Sequence, residues 1–122
     1  MLIRSLSACE EFIAGDNTIL RELFHPDKQS IELRYSLAHA IVKPGETSHL
    51  HSLATSEVYY ILEGKGIMHI DDEQKEVFQG DAIYIPPHAK QCIHNHGESD
   101  LTLLCIVDPA WQKEDETVYQ NT

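Results

Sequence analysis

The sequence predicts an all-β domain, folded as a sandwich or a closed barrel. Short segments that alternate apolar and polar residues recur along the chain, the pattern of strands with one buried face. Turn signals such as Pro44-Gly45, Asp71-Asp72, Gly80-Asp81 and Pro86-Pro87 separate them. No segment carries the apolar period of a helix convincingly, so about eight or nine short strands are expected.

In chain order, residues 1–30 are mixed. Ile3, Leu6, Phe12 and Ile13 are apolar without a clean period, and Gly15-Asp16-Asn17 is a turn. Residues 18–25 read as a strand with Ile19, Arg21 and Leu23 on one face, although Leu20, Leu23 and Phe24 also suit a short helix; Pro26 ends either. Residues 31–43 form a long alternating segment, polar on one face at first and apolar on both by its end. Such a strand starts at a sheet edge and finishes buried. A run rich in β-branched and aromatic residues follows Glu57. Further strands are expected at 65–71, 74–78, 82–85, 89–95 and 101–107, the last being the most apolar. The tail, residues 111–122, is charged; Trp111 would anchor it while its last residues fray.

A chain of 122 residues suits one domain with a single core. The expected division is a core barrel at 31–108, with N-terminal strands at 1–30 and a tail at 109–122 both adding to one sheet. The net charge of −11 argues against a nucleic-acid backbone or an anionic membrane as partner. No apolar run approaches the length of a membrane span, and the N-terminus lacks the apolar core of a signal peptide, so a soluble cytoplasmic protein is expected. Cys9, Cys92 and Cys105 lack metal-type spacing and read as free thiols, with Cys92 and Cys105 buried in apolar runs.

The chemistry concentrates in residues 44–64. His49 and His51 stand two apart, so on an extended segment their imidazoles point to one face. With Glu57 they make a candidate 2-His-1-carboxylate site for a divalent transition metal. Tyr59 shares a face with Glu57 and is a candidate wall residue whose hydroxyl orients a substrate; a packed core tyrosine is the alternative. On the 89–95 strand, Gln91, Ile93 and Asn95 face inward, which turns His94 and His96 outward. Of the outlying polar groups, Arg34 and His39 have opposite facing, so only one looks into the barrel.

These residues resemble the two motifs of the cupin superfamily. The first motif is a glycine, a gap, HxH, three or four residues, Glu, six residues, and a glycine; Gly45, His49, His51, Glu57 and Gly64 correspond. The second is a glycine, five residues, a proline, then a His and an Asn; Gly80, Pro86 and Asn95 fall in register, with Gln91 at the histidine position. Two spacings depart from the pattern: Gly45 to His49 is two residues short, and His51 to Glu57 is one long. The resemblance implies a double-stranded β-helix, the jelly-roll barrel, with His49, His51 and Glu57 as ligands of Fe, Mn, Ni or Zn and Gln91 as a weak fourth. It further implies a dioxygenase, isomerase or lyase acting on a small oxygenated acid or sugar derivative, with Glu57 free to serve as general base if it leaves the metal. A ligand-binding or sensing barrel without turnover and a metal-free structural barrel are the alternatives. A homodimer is implied too, paired or exchanged through edge strands, with the segment near 35–42 suited to that role.

Overall fold

The computed structural model of the chain describes residues 1–119. Eleven strands alternate with turns: β1 (Glu11–Ile13), β2 (Ile19–Phe24), β3 (Ser36–Val42), β4 (His51–Leu53), β5 (Ser56–Glu63), β6 (Lys65–Ile70), β7 (Glu73–Phe78), β8 (Ala82–Ile85), β9 (Gln91–His94), β10 (Leu101–Asp108) and β11 (Glu116–Val118). Two single 3₁₀ turns, Leu6–Ala8 and Lys113–Asp115, are the helical elements among the described residues. A six-stranded sheet runs β1-β2-β3-β10-β5-β8 and a five-stranded sheet runs β11-β4-β9-β6-β7. The paired strands are antiparallel throughout.

Strand β10 organises the larger sheet. It pairs with β3 on one side and β5 on the other, and its burial alternates residue by residue. Leu101, Leu103, Cys105 and Val107 face inward, and the first three share one core with Ile61 and Ile85 of their own sheet and Ile93 of the other. Each such aliphatic side chain contributes about 1.5–3 kcal/mol through the area it removes from water.

Where the expected strands are long enough to show alternation, they form. Residues 18–25 are the strand β2 rather than a helix. The extra strands β1, β4 and β11 are three residues each, too short for a period to register.

Three expectations are corrected. The segment 31–43 is strand only over Ser36–Val42, because its partners run out: β2 ends against Leu37 at Phe24, and β10 reaches Ser36 at Val107. That strand is also not an edge, since β2 and β10 flank it; β1 and β8 are the edges of its sheet. Finally, the terminal segments do not add to one sheet. Strands β1 and β2 extend the larger sheet, whereas the tail contributes β11 to the smaller, against β4. The expected fraying of the last residues falls on 120–122, outside the described residues.

Candidate active site

Both sheets, together with the hairpin before β2 and the segment ending in β11, enclose a cavity of about 660 Å³. Strand alternation decides which residues reach it. On β3 the inward set is Ser36, Ala38 and Ala40, small side chains that leave room. On β5 it is Glu57 and Tyr59, and on β4 it is His51 and Leu53. Neither Arg34 nor His39 lines the cavity: Arg34 pairs with Asp108 at 2.8 Å, and His39 lies in register with Arg21 and Leu104.

His51 is buried, and its two ring nitrogens have different surroundings. Nδ1 lies 2.8 Å from the carbonyl oxygen of His49. A carbonyl only accepts, so Nδ1 carries a proton and donates it. In the neutral ring Nε2 is then a bare acceptor. It lies 3.6 Å from Oδ2 of Asp16, also an acceptor when ionised. Asp16 is fixed in turn, since its Oδ1 accepts from the Thr18 backbone N–H at 3.2 Å and the Thr18 hydroxyl at 2.7 Å. The Asp16 carbonyl accepts the His49 backbone N–H at 2.7 Å, which ties this turn to the approach to β4.

Glu57 is buried, and its Oε1 accepts a hydrogen bond of 2.8 Å from Nε2 of Gln91. Burial dominates its titration. The carboxyl is pushed up to about 8, with Asp16 and Glu116 adding repulsion and the Gln91 bond working the other way. Burial, and then the neighbouring Glu57, also hold the Tyr59 phenol well above its usual range. Glu116, carried by β11, is raised chiefly by burial and partly restrained by His51. It sits against the Asp16 turn: a Cβ placed on Gly15 would stand 2.6 Å from Glu116 Oε1.

The metal centre implied by the resemblance does not fit these residues. Among the described residues, no three His, Cys, Asp or Glu side chains converge as a metal requires. His49 does not line the cavity, because β4 begins only at His51 and strand alternation does not extend back to residue 49. The histidine-bearing positions are displaced by two residues. With His51 as the first HxH position, the gap from Gly45 is residues 46–50 and the gap from the second position to Glu57 is residues 54–56. Both spacings then match the motif, and the second HxH position is Leu53, which has no donor atom. Gln91 is fully buried behind Glu57, turns its N–H to the carboxylate and leaves Oε1 without a partner. Of four ligand positions, His51 and Glu57 alone keep metal-binding side chains of the usual kind.

Asp16 and Glu116 did not stand out in the sequence. The one signal for Asp16 was its place in a Gly-Asp-Asn turn, which reads as structure; Glu116 lies in an acidic tail run resembling solvated surface. The expectation of three free cysteines holds and Cys105 is buried as expected, but Cys92 is only half-buried, whereas Cys9 is buried.

A model of the Cupin domain family matches residues 38–107. An uncharacterized protein of Methanocaldococcus jannaschii is 44% identical over 110 residues, covering 89% of this chain and 87% of that one. The mannose-1-phosphate guanylyltransferase of Salmonella montevideo is 30% identical over 106 residues; the match covers 80% of this chain but only 22% of the guanylyltransferase. Among solved structures, the polyketide cyclase RemF of Streptomyces resistomycificus superposes with a TM-score of 0.82 at 18% identity, covering 100% of this chain and 87% of RemF. At that identity the likeness shows the fold alone.

Proposed function

This chain belongs to the cupin domain family, and we propose that it is an acid–base enzyme acting on a small organic molecule held inside the barrel, without a metal. The observation that carries the reading is a pairing of opposites on one cavity. His51 lines the cavity with Nδ1 donating to the His49 carbonyl oxygen, so in the neutral ring Nε2 is the nitrogen that accepts a proton. Glu57 presents a carboxylic acid that keeps its proton to about pH 8. A carboxyl held neutral by burial and an imidazole whose Nε2 is the accepting nitrogen, on one cavity, suit an acid and a base.

In this reading His51 Nε2 takes a proton from a C–H or O–H of the bound molecule. Glu57 gives its proton to an oxygen of the same molecule. The result is an isomerisation when that oxygen stays, or a dehydration when it leaves as water. The cycle closes when the proton on His51 returns to Glu57 through solvent or product. Gln91 positions Glu57, and Asp16 stabilises the imidazolium formed on His51. Apolar walls exclude water from the transfer.

The test is proton exchange in D₂O. Wild-type protein is incubated with a panel of enolisable hydroxy-carbonyl compounds, and loss of C–H signal is followed by NMR. Activity should survive chelation, fall roughly 100-fold or more in H51Q and in E57Q, and stay within about twofold in H49A. Activity that disappears with chelator and returns with Fe, Mn, Ni or Zn would establish the metal-dependent dioxygenase, isomerase or lyase instead. Binding of a small molecule with no exchange under any condition would make the barrel a ligand-binding module.

A further inference from the structure

We infer that the ligand of this cavity is an uncharged ring compound bearing hydroxyl groups, and that carboxylates and phosphates are excluded. The inference rests on the cavity being the ligand site, as proposed above, and on three properties of its walls.

The first is the balance of charge. Asp16, Glu57 and Glu116 all line the cavity. Its only cationic linings among the described residues are Lys28 and Lys113, both exposed, and Lys28 is already paired with Glu22 at 2.7 Å. No arginine among the described residues lines it. A bound carboxylate or phosphate would thus be stripped of water beside the Asp16 and Glu116 carboxyls, with no guanidinium and only the exposed ammoniums at the rim to receive it.

The second is hydrogen-bond polarity. Asp16 Oδ2 and His51 Nε2 face each other at 3.6 Å, beyond direct hydrogen-bond distance. A ligand hydroxyl, donor and acceptor at once, bridges the two atoms; an anion brings only acceptors to the Asp16 carboxyl. The third is shape. Phe12, Tyr59 and Trp111 are aromatic walls, and Ile93 and Leu103 complete an apolar floor suited to a flat ring body. The volume of about 660 Å³ admits a molecule of two or three fused rings.

Naphthol and naphthoate share a ring body and differ in the group the inference concerns. Isothermal titration of the protein at neutral pH should show naphthol binding about 30-fold or more tighter than naphthoate. In E116Q the naphthoate affinity should rise severalfold, narrowing the preference for naphthol. Equal or tighter binding of naphthoate to the wild type overturns the inference, as does absence of binding by both probes at millimolar concentration. The outcome is separable from that of the exchange experiment. A naphthol preference without exchange leaves a barrel that binds uncharged rings. Exchange without the preference leaves an enzyme for anionic substrates.

Discussion

Gln91 donates its amide hydrogen to Glu57 across 2.8 Å, and both side chains are buried. The glutamine stands where the family's second motif has a histidine, so a residue position that would bind metal instead holds a carboxyl in place. Leu53 closes the other missing position from β4. Together they take two donors out of the family's ligand set.

The register that assigns Leu53 to the second HxH position has a direct consequence for metal binding. Wild-type protein reconstituted with Fe(II), Mn(II), Ni(II) or Zn(II) should retain less than about 0.1 equivalent after desalting, given only two conventional donors. The double variant L53H/Q91H should retain about one equivalent, since four imidazole and carboxylate donors then share one centre. H49A in that background should leave occupancy unchanged. Elemental analysis decides it; a double variant that binds only while His49 is present would restore the ligand assignment based on the unshifted motif.

Glu57 makes stability depend on pH with a definite sign. An unfolded-chain carboxyl titrates near 4.5, whereas in the folded protein Glu57 holds its proton to about 8. Between those values the native state binds a proton that the unfolded state has lost. Its contribution is fully present below the lower value, declines as pH rises through the window, and is flat above the higher one. The slope at its steepest is about 1.4 kcal/mol per pH unit. Urea unfolding of wild type and E57Q at several pH values isolates this group, because the other carboxylates are common to both. The wild type should lose stability relative to E57Q from weakly acidic to weakly basic pH. A constant difference across the window would mean that Glu57 is ionised in the folded state.

The His49 carbonyl sets the tautomer of His51. In aqueous peptides the neutral imidazole can carry its proton on either nitrogen, and here the acceptor at 2.8 Å requires it on Nδ1. Long-range proton–nitrogen correlation spectra of labelled protein, taken above the titration of the ring, should show a protonated Nδ1 and a bare Nε2. The reverse assignment would remove Nε2 as a base.

Much of this was legible in the sequence, and the failures share a cause. β10 and β3 announce themselves because several alternating residues are sandwiched between partners. β4 has only three residues, too few to show where strand geometry begins. Without that boundary His49 and His51 look like one face, although only the second lies on the strand. Asp16 and Glu116 meet His51 from the two ends of the chain, and nothing local in either segment signals that contact. The strand within residues 31–43 is shorter than its alternation suggests for a related reason: alternation describes one strand, whereas its extent is set by neighbours that end at Phe24 and Val107.

Two motif glycines separate backbone strain from crowding. Gly64 and Gly80 hold φ of +87° and +90°, in the left-handed region that costs an L-residue roughly 1–2 kcal/mol. A Cβ at Gly80 meets nothing within 4 Å, so G80A should lose about that much and no more. At Gly64 the same Cβ would sit 2.7 Å from the carbonyl oxygen of Asp100 and 3.1 Å from Cα of Leu101. Those are backbone atoms at the start of β10, the strand on which both sheet partners of the core depend. They cannot swing aside as a side-chain tip does, so the β5–β6 turn or the end of β10 must move. G64A should therefore cost at least about 1 kcal/mol more than G80A, and the excess should report on overpacking. Urea unfolding of the two variants side by side measures the difference, and equal losses would show that the Asp100 carbonyl yields freely.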